Sequence, residues 1–136
     1  MANPFPFTAG QVLTAAQMNG IGERTAFTPT VSSVTGAIFV AGALDCSYMR
    51  VQKAVIVEFD ITITSIGTAG GAILFTLPIN ANSSLMGTGV GRESGVTAAP
   101  LFIWHTTTQA QIQKFDGTFI GGNGYRYVGT ITYGVA

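Results

Sequence analysis

Charge is scarce in this chain. Only 9% of its 136 residues are Asp, Glu, Lys or Arg, against roughly 25% in an ordinary soluble domain. The six basic and six acidic side chains cancel, which leaves no electrostatic footprint for a phosphate backbone and argues against nucleic-acid binding. The same balance offers no polybasic patch to an anionic membrane surface. A surface so poor in charge is covered by Thr, Ser, Gly, Asn and Gln, or is buried between subunits. Both point to a symmetric oligomer or a larger particle.

Cysteine and histidine each occur once, as Cys46 and His105. An internal disulfide framework or a conventional zinc site needs more of them, so neither a metal nor a cofactor is expected. Cys46 reads as a small apolar residue packed in a strand of a protein made in a reducing cytoplasm. Long apolar runs are missing as well. The run at 54–57 is broken at once by Glu58 and Asp60, no stretch reaches transmembrane length, and membrane insertion is not expected. The start lacks the positive region and apolar core of a secretory signal. No Gly-x-Ser-x-Gly element occurs, and nothing in the pattern sets a nucleophile beside a base. The expectation is a protein that is not an enzyme.

What is present divides into two parts. Residues 1–26 form an apolar arm carrying Phe5, Phe7, Val12, Leu13, Met18 and Ile21. Thr14 and Gln17 fit a capping box, Leu13 and Met18 a hydrophobic staple, and Asn19-Gly20 a helix stop. A helix this short is unstable alone, so the arm needs a surface to dock on, either on another molecule or beneath its own head. Phe5, Phe7, Val12, Leu13 and Met18 are the candidate docking residues.

From residue 27 to 136 the period becomes two. Val55, Val57, Phe59, Ile61 and Ile63 share one face, and Glu58, Asp60, Thr62 and Thr64 the other, the mark of a half-buried antiparallel strand. A tight turn at Gln52-Lys53 joins it to a strand at 46–51. Gly67-Thr68-Ala69-Gly70-Gly71 then predicts a hairpin to a strand at 73–77, ended by Pro78. Further strands are expected at 85–93, 101–106, 109–115 and 125–133. Gly87, Gly89 and Gly91 alternate in the first of these, which marks close backbone approach or a bulge. Seven to nine short strands predict an all-β fold, an antiparallel β-sandwich with the jelly roll as one form of it.

The segment 7–19, with its aromatic, its glycine and its Ala-x-x-x-Asn helix, resembles the N-terminal element of phage tail-fibre and related virion proteins. Residues 48–57, with Phe75-Thr76-Leu77-Pro78, are similar to the β-rich heads behind such elements, and Gly91-Arg92-Glu93 belongs to the same likeness. The resemblance implies a tailed-bacteriophage virion structural protein, made in the host cytoplasm and carried on the particle as a homotrimer. Its arm would bind other virion proteins of tail or capsid. A short tail fibre or receptor-binding protein is the first reading, because of the N-terminal likeness; the chain runs almost directly from the helix into the β domain, which speaks against a long shaft. A capsid decoration (cement) protein is the second. A free carbohydrate-binding module is a third, of a different class.

Among single residues, Trp104, His105, Tyr125, Tyr127 and Tyr133 are the candidate receptor or interface set. Aromatic rings with polar tips suit stacking on a host surface glycan, although the three tyrosines share one parity of a strand, and such a side more often faces the core or a neighbouring subunit. His105 reads as an ordinary strand histidine, exposed or partly buried. Glu58 and Asp60 lie roughly 7 Å apart, a spacing that does not exclude paired-carboxylate chemistry, but a solvated outer face produces the same alternation and is the favoured reading. Arg92-Glu93 reads as a local ion pair. The loops at 106–108 and 121–124 are further places for recognition.

Overall fold

The computed structural model describes residues 10–12, 14–15, 22–38, 40–84 and 87–136. Among the described residues nine strands form: β1 (Thr25–Phe27), β2 (Val31–Thr35), β3 (Val40–Val51), β4 (Ala54–Ser65), β5 (Gly70–Thr76), β6 (Thr88–Glu93), β7 (Pro100–His105), β8 (Gln109–Lys114) and β9 (Tyr125–Gly134). They make one antiparallel sheet in the order β1-β3-β4-β9-β6-β7-β8-β5-β2. The all-β expectation holds, and the two layers of the sandwich are halves of a single curled sheet.

The alternation in β4 determines which side is inside. Val55, Val57, Phe59, Ile61 and Ile63 are buried, and across the ladder they meet the buried Ile131 and Tyr127 of β9. Ile73 and Phe75 of β5, Leu101 and Ile103 of β7, and Ile112 of β8 close the same core from the other half. The Phe59 and Phe75 rings stand 5.0 Å apart, so β4 and β5 face each other through the interior. Full burial of each such side chain contributes roughly 1.5–3 kcal/mol.

The β3–β4 turn forms as read. Gln52 takes a φ of 53°, the positive value that a two-residue hairpin needs at its first position to match strand twist. The hairpin expected between β4 and β5 does not form. Both edges of β4 are already occupied, by β3 and by β9. Beyond Gly67, at φ 62°, the linker crosses to the opposite half, tied on its way by Thr68 N–H donating to the Ala37 carbonyl. There β5 pairs with β8 and β2.

The alternating glycines of β6 have the reason expected of them. A Cβ on Gly89 would overlap the Thr130 carbonyl oxygen and lie 2.7 Å from Ile131 Cα, and one on Gly91 would lie 2.5 Å from the Val128 oxygen. Only bare backbone lets β6 lie against β9. Cys46 is buried in β3, and burial pushes its thiol up to about 11. Since the thiolate is the reacting form, Cys46 in folded protein is expected to label with a thiol reagent at pH 8 roughly a hundredfold more slowly than in denaturant.

Candidate functional site

Phe5, Phe7, Leu13 and Met18 of the arm, with the Gln17 side of its capping box, lie outside the described residues. Val12 is described and stands 85% exposed. The chain reaches the sheet alongside β3, where Gly22 comes close to Met49; a Cβ at Gly22 would meet the Met49 sulfur at 2.9 Å. Arg24 then pairs with Glu58, and β1 begins at Thr25, two residues before the expected start of the head.

The candidate aromatic set separates in space. Tyr127 and Tyr133 are buried. The Tyr127 hydroxyl donates to the Ile120 carbonyl at 2.7 Å and that of Tyr133 to the Ile79 carbonyl at 2.9 Å. Burial pushes both phenols upward, Tyr133 to about 12. His105 is buried too, its ring 5.5 Å from that of Tyr133. Its Nε2 accepts the Gly87 N–H at 2.6 Å, which leaves the proton on Nδ1 to be donated to the Thr106 carbonyl at 2.8 Å. Of the core, interface and receptor readings open to these three side chains, burial favours the core: their parity points inward and their polar atoms are already satisfied. Tyr125 is half-buried beside Tyr127, with ring centroids 6.4 Å apart. Trp104 alone stands on the outer face, half-buried.

Trp104 has outer-face neighbours that pattern reading missed. Phe102 lies two residues away on β7, opposite Val90 of β6, and its ring is 6.2 Å from that of Phe115. Phe115 is 64% and Val90 59% exposed. Phe115, Lys114 and Asp116 also border, with Ala99 and Pro100, a shallow concavity of about 250 Å³. The available signal was the sequence of β7, in which both parities are apolar although an outer strand face is normally polar.

On the outer face of β3, β4 and β9 lies a second concavity, of about 460 Å³, bordered by Asp45, Ser47, Glu58, Asp60, Val128 and Thr130. Asp45 lies opposite Asp60 in the ladder. Arg126 grips Asp60 with two hydrogen bonds, of 2.8 and 2.5 Å. That side-chain contact is the main reason the Asp60 carboxyl sits below its ordinary value. A general acid in paired-carboxylate chemistry needs the opposite shift.

Glu93 overturns the Arg92–Glu93 ion pair. Neighbours in a strand point to opposite faces, and Glu93 turns inward and is fully buried. Its oxygens accept the backbone N–H groups of Gly95, Val96, Thr97 and Arg126 and the Thr97 hydroxyl, at 2.5–3.2 Å. Burial opposes ionisation here, but the Thr97, Arg126 and Val96 donors outweigh it and bring the carboxyl down to about 2. The loop from Ser94 to Ala98 is thus wrapped around a carboxylate anchor, with Val96 62% exposed at its turn. No protein-family model, curated protein or solved structure matches the chain.

Proposed function

We propose that this chain is a structural protein of a tailed-bacteriophage particle, in which residues 1–24 attach the protein and the curled β-sheet is the displayed head. The observation that supports the reading is the exposure of Val12 ahead of a head whose core is filled by its own strands among the described residues. Among the described residues, every hydrophobic side chain packed in the core lies between Phe27 and Val135, whereas Val12 projects into solvent. An exposed apolar side chain such as Val12 suits a groove on a neighbour. Three tethered copies turn modest contacts per chain into firm attachment. The N-terminal likeness to tail-fibre proteins favours the tail, with the chain as a short fibre or receptor-binding component. Recognition of a host glycan then falls to the loops at 106–108 and 121–124.

Capsid decoration is the second reading, favoured by the low charge of the chain, which suits a clamp with much of its surface covered. Copy number separates the two. A handful of chains per particle by quantitative mass spectrometry supports the tail, and hundreds support the capsid. Deletion of residues 1–24 is expected to preserve the cooperative thermal transition of the head while abolishing incorporation into particles. Truncated protein that incorporates at the full-length level overturns the docking role.

A further inference from the structure

We propose that the chain assembles head to tail with itself, the aromatic outer surface of β7 and β8 in one copy seating on the acidic concavity of β3, β4 and β9 in the next. The inference deepens the reading above, from which it takes only the expectation of a trimer.

The ladder registers place the two surfaces on different parts of the outside of the curl. Val90, Phe102 and Gln113 form one row across β6, β7 and β8, and Trp104 extends the same face. Phe115 projects beyond it. The charges bordering this apolar surface are mainly basic. Arg92 is exposed next to Val128 and Pro100 in the ladder and makes no ion pair among the described residues. Lys114 lies at the margin, with Asp116 beyond it.

The concavity has the complementary character. Its rim carries Asp45, Glu58 and Asp60, and short side chains at Ser47 and Thr130 leave its middle open. Arg24 and Arg126 satisfy Glu58 and Asp60, but the exposed carboxylate of Asp45 has no hydrogen bond or ion pair among the described residues. Each surface therefore lacks the charge that the other supplies, and Phe115 protrudes where the partner surface recedes. Neither surface complements itself. Two concavities would leave Asp45 with no cation that is not already engaged, and two aromatic faces would join surfaces whose bordering charges are mainly basic. A contact between two different surfaces is heterologous, and when its rotation closes it gives a ring.

Native mass spectrometry and light scattering on the full chain, across a dilution series, test this directly. The unaltered chain is expected to be a trimer. Phe115→Asp and Asp45→Lys each disable one of the two surfaces, and each alone is expected to give a monomer. Mixed in equal amounts, the two variants have one working junction between them and are expected to form a one-to-one dimer that grows no further. Thermal melts check that both remain folded; should Phe115→Asp fail to fold, Arg92→Glu takes its place. The inference is overturned by an unaltered chain that stays monomeric, by variants that keep the full oligomer mass, or by a mixture that remains monomeric. A monomeric chain that still enters particles overturns this inference and leaves the virion reading standing.

Discussion

Replacing Glu93 with alanine is expected to lower the unfolding free energy by about 3 kcal/mol, because several backbone donors lose their acceptor together. For a domain of this size that is a fall of about 10 °C in Tm. The reason is local. Four N–H groups and one hydroxyl converge on the two carboxylate oxygens. Glutamine at the position should recover only part of the loss, since its amide nitrogen would confront donors. The pH dependence supplies a second, independent readout. Glu93 has an ordinary value of 4.5 and a folded value of about 2. A folded-state pKa below the unfolded one contributes stability that is fully present above the unfolded value and disappears as pH falls through the folded one. The gap in Tm between the unaltered protein and Glu93→Ala should therefore be widest above pH 5 and narrow steadily towards pH 2. Asp60 and Asp116 are also shifted downward, but they are present in both proteins, so the difference between the two curves isolates Glu93. A gap that is constant with pH would show that the loss comes from packing alone.

The second large effect is expected at Gly89. Alanine normally improves on glycine inside a regular element, because it reduces the freedom of the unfolded chain. Here the sign reverses. The added methyl would overlap the Thr130 carbonyl oxygen and crowd both Cα and Cβ of Ile131, so the seam between β6 and β9 must open to admit it. Gly89→Ala is expected to cost about 3 kcal/mol or more, at the upper end of overpacking effects. Thr88→Ala is the matched control. Thr88 is exposed on the outer face one residue away, and its change should stay within about 0.5 kcal/mol. Chemical denaturation of the two variants in parallel decides the matter: equal midpoints would mean that β6 and β9 are not held at the separation described.

The contrast between these residues shows what the linear pattern could and could not convey. The β4 strand was legible because five apolar residues alternate with polar ones, and one buried face is enough to produce that pattern. The Gln52-Lys53 turn and the close approach at Gly89 and Gly91 were legible for equally local reasons. The partner of β4 was not. A glycine-rich linker permits a hairpin and permits a crossing to the other half equally well, and the choice rests on β9, whose Thr132 pairs with Ile56. Glu93 was misread because adjacency to Arg92 suggests an ion pair, whereas the donors that hold it come from a loop whose backbone has no signature in residue type. His105 was hidden in the same way, since its partner is the Gly87 amide. The outward aromatics were half legible. Trp104 drew notice by itself, but Phe102 and Phe115 needed the register of β7 against β8 before they joined it.

The position of β9 between β4 and β6 also determines the order in which the molecule can be built. Adjacent strands such as β3 with β4, or β6 with β7 and β8, can meet as soon as they are synthesised. The two groups have no ladder between them until Tyr125–Gly134 arrives to lie between them. On the ribosome, the nascent protein therefore waits as two unjoined pieces with open strand edges, the species most prone to sticking to its neighbours. The joining of the two groups waits on β9, and the interval before that strand emerges is the time in which a chaperone has most to protect.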